Sequence, residues 1–355
     1  SYGRQNWFEY SAQEHLATRE NVTLFDQSSF AKFRLEGPDA MKVLNQVCGN
    51  DIDVAAGRLV YTQWLNPKGG IEADLTVTRL SETCYLIVTA AETQVRDFNW
   101  LNRHIDSEAR CVLTDVTSGM GVISIMGPNA RGLIQKLTPA DMSHSAFPFA
   151  TSQEIELGYA LVRASRITYV GELGWELYVP TEFMAGVYDE ICSAGERFGL
   201  VHAGYHALNS LRMEKGYRHW GHDITDEDTP LEAGLGFAVR LDKEGGFIGQ
   251  EALQKQKEQG VNRRLVQFQL EDPEPLLYHN EPIWRNGEIA GYISSGAFGH
   301  TLGACIGLGY VERSDQSDHE DWVSGDYEIE VAGKKFAAKA SLAPLFDPRN
   351  EKIRC

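Results

Sequence analysis

The stretch Leu65-Asn66-Pro67-Lys68-Gly69-Gly70-Ile71-Glu72-Ala73-Asp74-Leu75-Thr76-Val77-Thr78 constrains this chain more than any other, because it joins a tight turn to a strand with two unlike faces. Pro67 presets a turn backbone, and the glycine pair supplies conformations that other residues avoid. Beyond them Ile71, Ala73, Leu75 and Val77 point one way while Glu72, Asp74, Thr76 and Thr78 point the other. The alternation predicts a strand with one face in a core, and it sets Asp74 in a polar row that starts at a turn. Residues 58–65 alternate as well, with Tyr61 and Gln63 opposite Val60, Thr62 and Trp64, and residues 85–89 are short and β-rich. Together they predict a three-stranded meander. Taken alone, the polar row reads more readily as a solvated sheet face than as a site.

At 355 residues the chain is too long for one small core and suits two or three domains. The formal charge of −17 repels phosphate backbones, which argues against nucleic acid and requires local cations for any anionic ligand. No apolar run reaches the roughly 18 residues of a membrane span. The opening Ser1-Tyr2-Gly3-Arg4-Gln5-Asn6 is no signal peptide and lacks an initiator Met, so a processed or excised chain is expected. Six cysteines without a C-x-x-C pair form neither a zinc pattern nor a disulfide framework. A reducing compartment is expected, the cytoplasm or, in a eukaryote, the mitochondrial matrix. His219-Trp220-Gly221-His222 offers two imidazoles but no further ligand pattern, so no metal is expected.

An internal echo organises the first half: residues 35–47, opening Leu35-Glu36-Gly37-Pro38, match residues 125–137, opening Ile125-Met126-Gly127-Pro128. In each a strand ends at glycine and proline opens a helix. Strand-turn-helix units mixed with hairpins predict an α+β arrangement of small sheets with helices on one side. No G-x-G-x-x-G joins a strand to a helix, and neither a phosphate-binding loop nor a G-x-S-x-G elbow occurs, which removes support for dinucleotide, nucleotide-hydrolysing and serine-hydrolase chemistry. From about Arg263 short alternating segments (265–270, 289–294, 305–311, 327–331, 335–341) predict a small all-β barrel or sandwich, with a boundary near Gly260.

Three further constellations stand out. Residues 167–170 and 175–178 read as strands joined by the turn Gly171-Glu172-Leu173-Gly174, a register that sets Tyr169 opposite Glu176. Residues 204–216 read as a helix capped by Gly216, on which Arg212 emerges beside Leu208 and needs a carboxylate or an anionic ligand. Residues 291–303 read as a glycine-rich loop between barrel strands, explained mostly by barrel architecture.

Asn66-x-x-Gly69-Gly70-x-x-x-Asp74, the Tyr169-to-Glu176 segment, Leu211-Arg212-Met213-Glu214-x-Gly216 and Ser294-Ser295-Gly296 occur in the order seen in the folate-dependent aminomethyltransferases, the family of the glycine cleavage T-protein. The resemblance covers nearly the whole chain. Phe25-Asp26-Gln27-Ser28-Ser29-Phe30, Thr229-Pro230-Leu231-Glu232-Ala233-Gly234-Leu235-Gly236 and Gly299-His300-Thr301-Leu302-Gly303 resemble the C-terminal folate half of dimethylglycine and sarcosine dehydrogenases. The N-terminal flavin domain of those enzymes has no counterpart in these residues.

What the resemblance implies is a three-domain cloverleaf: ferredoxin-like α+β domains and a C-terminal β-barrel around a central channel for tetrahydrofolate. The expected division is 1–51 with 118–245, then 52–117, then 260–355. Asp74 matches the catalytic aspartate, which takes a proton from a nitrogen nucleophile or stabilises a cation formed during transfer. Glu176 matches the carboxylate that grips the donor edge of the pterin through parallel hydrogen bonds. Tyr61 and Tyr169 match residues lining the folate site, and Arg212 matches an arginine there that steadies the ligand or holds Glu176 ionised. Thr76, Thr78 and Thr89 also fall at cofactor-binding positions, although aminomethyltransferases often use other residues there, Asn in place of Thr89.

The implied function is transfer of a one-carbon unit from an N-methylated amine, such as dimethylglycine or sarcosine, onto tetrahydrofolate, with oxidation assigned to a flavin-dependent dehydrogenase domain or subunit. Three alternatives accompany it. One is a glycine-cleavage aminomethyltransferase served by a lipoyl carrier. Another is a sulfonium demethylase using Trp175 or Tyr178 to cradle a cation. The third is a non-catalytic folate-binding module like those of iron–sulfur assembly, against which Asp74 and the missing thiol before Gly249-Gln250-Glu251 argue.

Overall fold

The computed structural model describes residues 3–312 and 322–355. The chain opens with helix α1 (Phe8–Glu20) and β1 (Val22–Asp26), continues through β2 (Ala31–Glu36) and α2 (Ala40–Val47), and makes the meander β3 (Leu59–Leu65), β4 (Ile71–Arg79), β5 (Cys84–Thr89). Helix α3 (Gln94–Arg103) and β6 (Val112–Asp115) lead to β7 (Met120–Met126), α4 (Ala130–Leu137), β8 (Ser152–Leu157), β9 (Ala160–Ser165) and β10 (Gly174–Pro180). Helix α5 (Met184–Gly195), β11 (Leu200–His202) and α6 (Tyr205–Glu214) precede an irregular stretch and α7 (Gln250–Gln259). Strands β12 (Arg263–Leu270), β13 (Pro282–Arg285), β14 (Glu288–Gly299), β15 (Ala304–Glu312), β16 (Tyr327–Val331) and β17 (Lys334–Ser341) come before a final turn of helix, α8 (Glu351–Arg354).

Two open sheets and a closed barrel result. The first sheet runs β11-β1-β7-β10-β9-β8, the second β3-β4-β5-β2-β6, and the barrel closes in the order β12-β15-β14-β13-β16-β17. Alternation decides which face of each sheet is covered. Trp175, Leu177 and Val179 of β10 join Ile123 and Ile125 of β7 in a core under α4 and α5. Ala73, Leu75 and Val77 of β4 join Phe33, Leu35 and Ile87 under α2. The opposite faces of the two sheets turn toward each other, because Leu86 and Val88 of β5 pack with Val122 of β7 and Tyr178 of β10. Asp74 and Glu176 each lie on one of those facing surfaces.

The echo is real, with one adjustment. Helices α2 and α4 begin at Ala40 and Ala130, two residues beyond the prolines, and Gly37 and Gly127 hold φ of +141° and +128°. A Cβ on Gly127 would lie 2.5 Å from Asn21 O, so glycine is needed there for close approach as much as for conformation.

Strand β2 pairs with β5 and β6, and α2 packs in the second core, so residues 31–47, which the expected division puts in the first domain, belong with the second sheet. One expectation is corrected. The glycine-rich stretch is mostly strand, because β14 runs to Gly299 with a bulge between Ile293 and Ser295. Gly291, Gly296 and Gly299 admit close neighbours, a Cβ on Gly291 lying 1.9 Å from Tyr310 O, while Gly303 turns the chain at φ +69°. Strand β13 was not anticipated, since Pro282 opens it and only four residues follow the ladder. No helix among the described residues is long and apolar enough to cross a membrane.

Candidate functional site

The meander positions Asp74. In the β3–β4 register Gln63 faces Asp74 and Tyr61 faces Thr76, so the four share the surface turned toward the first sheet. Gln63 Nε2 donates to Asp74 Oδ1 at 2.8 Å, and the Tyr61 hydroxyl supplies a second hydrogen bond. Burial pushes the Asp74 carboxyl up to about 6, against the lowering effect of Gln63, Tyr61 and the Arg218 charge. Gln63 Oε1 is buried with no hydrogen-bond partner. A carboxyl poised near 6 exchanges a proton at neutral pH.

The turn before β4 is held by a side chain from sequence. Asn66 Oδ1 accepts from the backbone N–H of Lys68 and Gly70, and Asn66 Nδ2 donates to Asp226 O at 2.9 Å. Trp220 Nε1 donates to Ile71 O at 2.9 Å, and the backbone of Ile71 bonds to Thr225 and Asp228. The irregular loop that follows α6 thus closes the end of the Asp74 strand.

Glu176 lies on the facing sheet, opposite Ser124 of β7 and Ser165 of β9. Its Oε2 accepts from the Tyr178 hydroxyl at 2.7 Å, and burial, opposed by that bond, raises its carboxyl. Among the described residues no protein donor is found on Oε1. The expected hairpin is corrected here: residues 167–170 form no strand, and β10 pairs with β9 across a longer loop, so Tyr169 is not the partner of Glu176. Tyr169 instead donates to Arg218 O at 2.7 Å and stacks on Tyr217, which places it near Asp74 by way of the loop after α6. Trp175 is fully buried in the core beyond β10, so it is not placed to cradle a ligand.

Arg212 finds its carboxylate in Asp223, not in Glu176. The pair closes at 2.6 Å, with Arg212 Nε on Asn209 Oδ1 and Nη1 on Tyr217 O. Asp223, fully buried, also accepts from His219 N at 3.0 Å, Ser294 Oγ at 2.6 Å and Ser295. Burial opposes its ionisation, but Arg212 and the serines hold its carboxyl below the usual range. This buried acid ties α6, the loop and the β14 bulge together.

Of the threonines, Thr76 shares the Asp74 surface, and Thr78 lies farther along it, buried between Leu59 and Leu86. Thr89 takes the opposite face and donates to Asp97 Oδ2 of α3, so it is not brought to Asp74. Asp74, Tyr61, Tyr169 and Arg218 are surrounded by protein, yet each keeps some water-accessible surface. Solvent therefore reaches a hollow beside Asp74. Phe237, 76 % exposed, stacks on Tyr61 at its rim.

Gln63, Tyr178, Arg218 and Asp223 were not foreseen in these roles, Tyr178 having been expected only to cradle a sulfonium cation. The period-two rule applied one step further finds the first two, which sit two residues from Tyr61 and from Glu176 on the same faces. Arg218 and Asp223 lie in an irregular loop, where spacing carries no signal.

The family model for the GCVT N-terminal domain matches residues 1–243, and that for the glycine cleavage T-protein C-terminal barrel domain matches residues 263–347. The chain belongs to the glycine cleavage T-protein family. It is 42% identical over 354 residues to 4-methylaminobutanoate oxidase (formaldehyde-forming) of Paenarthrobacter nicotinovorans, covering 100% of this chain and 42% of that protein. Mitochondrial sarcosine dehydrogenase of Homo sapiens is 40% identical, covering 96% and 39%. The chain thus spans about two fifths of the length of these relatives. The crystal structure of glycine cleavage system aminomethyltransferase T from Bartonella henselae superposes with a TM-score of 0.84 at 26% identity, over 95% of this chain and 90% of that one.

Proteins of the T-protein family bind tetrahydrofolate, and two acceptors here suit the donor edge of such a ligand. Among the described residues Glu176 Oε1 and Gln63 Oε1 are acceptors without protein donors, and a pterin presents amino and ring N–H groups. Among the described residues no group of three or more His, Cys, Asp or Glu is arranged to hold a metal.

Proposed function

We propose that the chain is a tetrahydrofolate-dependent one-carbon transferase that takes its unit from an N-methylated amino acid such as sarcosine or dimethylglycine. The observation that carries this reading is Asp74, an acid raised to about 6 by burial and held by Gln63 and Tyr61 at a deep, water-accessible surface. Tetrahydrofolate supplies the nitrogens that carry the one-carbon unit. Above about pH 6 Asp74 holds a carboxylate that takes up a proton or stabilises developing positive charge. Glu176 orients the ligand through its free oxygen, while Tyr178 fixes the other. Tyr61 and Tyr169 flank the hollow and limit water.

The donor class is supported by the names of the long relatives, whose substrates are methylated amino acids. Because the chain matches about two fifths of those proteins, oxidation of the donor falls to a flavin-dependent domain or subunit outside these residues. A second reading, glycine-cleavage aminomethyltransferase, is favoured by the cover of 90% on the Bartonella henselae enzyme. Incubation of the chain with tetrahydrofolate and either an oxidised methylamine donor or an aminomethyl-lipoyl carrier separates the two. Asp74→Ala is expected to abolish turnover in whichever assay is positive while tetrahydrofolate still binds. Undiminished turnover of Asp74→Ala would overturn the assignment.

A further inference from the structure

Arg218 presents an incomplete hydrogen-bond account. A guanidinium carries five N–H donors. Three are used: Nε and Nη2 both donate to Ala233 O, at 3.0 and 2.7 Å, and Nη1 donates to Gly216 O. One N–H on each terminal nitrogen is left without an acceptor, and two such donors are what a carboxylate takes as a fork. No carboxylate pairs with Arg218 among the described residues, although its charge acts on Tyr61, Asp223 and Asp74.

A second guanidinium joins it. Arg264, on β12, donates from Nη1 to Leu231 O and also lacks a carboxylate partner among the described residues. Gly234, at φ +73°, marks where the two meet: a Cβ built there would lie 2.8 Å from Arg218 Nη2 and 3.3 Å from Arg264 Nη2. Two unneutralised cations so close repel one another, in a chain whose net charge is −17 and whose carboxylates are plentiful. The cavity beside Gly216 and Arg218, about 20 Å³ and bordered by Lys215 and Gln267, admits a water and no more. An anion must therefore reach Arg218 through the surface that solvent touches, and Tyr61 and Asp74 are near enough for their charges to act on it.

We propose that Arg218 and Arg264 form a carboxylate-binding subsite at the edge of the Asp74 hollow. The location next to a folate site rests on the proposed function; the pairing of arginine with carboxylate does not. Two sources share the chemistry, the glutamyl tail of the folate and the carboxylate of the amino acid donor.

The test titrates the full chain and its Arg218→Met, Arg218→Lys and Arg264→Met variants with tetrahydrofolate and with tetrahydropteroate, which lacks the glutamyl group. Turnover is then compared for sarcosine-derived and dimethylamine-derived donors. A folate tail in the subsite predicts about a tenfold or greater loss of tetrahydrofolate affinity in Arg218→Met, with tetrahydropteroate unchanged. A donor carboxylate there predicts unchanged folate affinity and a KM raised to a similar degree for the carboxylate-bearing donor alone. Arg218→Lys, which keeps charge without the fork, falls between wild type and Arg218→Met in either case. Glutarate is expected to protect both arginines of the wild-type chain from phenylglyoxal, a readout that needs no folate. If tetrahydrofolate fails to bind the wild type while glutarate still protects, the proposed function fails and the subsite stands. Equal losses for ligands with and without a carboxylate, or no loss and no protection, would overturn the subsite.

Discussion

Asp74 titrates near 6 because burial outweighs the help it receives from Gln63, Tyr61 and Arg218. Each helper is then a lever on the pH at which the acid ionises. Turnover that needs the carboxylate rises through about pH 6, and Tyr61→Phe removes one stabilising hydrogen bond from the charged form. The rising limb of kcat/KM in that variant is expected to move to higher pH, which a rate profile between pH 5 and 9 measures; a limb that stays in place would show that Tyr61 does not serve Asp74. The same shift has a cost in stability. An acid raised from 3.8 to about 6 on folding binds more protons folded than unfolded, so its contribution is intact below pH 3.8 and lost as pH rises through 6. Asp74→Asn is therefore expected to stabilise the chain at pH 8 by roughly 1–2 kcal/mol, after allowance for its partial exposure, and to gain nothing at pH 4. Urea unfolding at the two pH values checks the sign.

Strands with one buried face were legible before any coordinates, because period-two alternation fixes which side chains share a surface. Asp74 could be set in a polar row from Ile71, Ala73, Leu75 and Val77 alone, and those four are buried as expected. The Tyr169–Glu176 register was misread for an equally physical reason. Ile167 to Val170 is β-rich, yet its partner strand is already taken: β10 is bonded to β7 on one side and β9 on the other, and the segment is left to form a loop. Local propensity cannot report that competition. Arg212 was legible as a residue in need of an anion, but Asp223 lies eleven positions on in an irregular loop, and only the tertiary fold chooses between it and Glu176. That choice changes the expected phenotype. Arg212→Met leaves Asp223 buried with its charge opposed only by hydrogen bonds, so a loss of about 3–5 kcal/mol in stability is expected. Thermal unfolding reads it directly, and a variant with wild-type stability and impaired folate binding would instead make Arg212 a ligand contact.

At the scale of the whole molecule, the first sheet and the barrel are joined by a buried charged cluster on the side of α6 away from Asp223. Glu214 Oε2 pairs with Arg19 of α1 at 2.9 Å, and its Oε1 accepts from the backbone N–H of Thr301 and Leu302 in the turn between β14 and β15. Arg19 also reaches Glu172 at 3.2 Å and Val170 O, in the loop before β10. His15 Nδ1 lies 2.9 Å from Ser210 Oγ, which donates to Phe298 O, so α1, α6, the first sheet and the barrel meet at one carboxylate. Burial alone would raise Glu214, but hydrogen bonds and charge from His15 and Arg19 bring it down to about 2. The sign is opposite to that of Asp74: an acid depressed on folding contributes fully above its unfolded pKa of 4.5 and loses that contribution as pH falls toward 2. Glu214→Gln keeps the shape and removes the charge, leaving Arg19 buried with one carboxylate fewer. The variant is expected to lose about 3–5 kcal/mol at pH 7, with the gap to wild type narrowing steadily between pH 4.5 and 2. Chemical denaturation across that range measures it. Because the cluster joins the first sheet to the barrel, the loss should appear as one cooperative transition of the two at lower denaturant, and a separate early melting of the barrel would show that they are held together elsewhere.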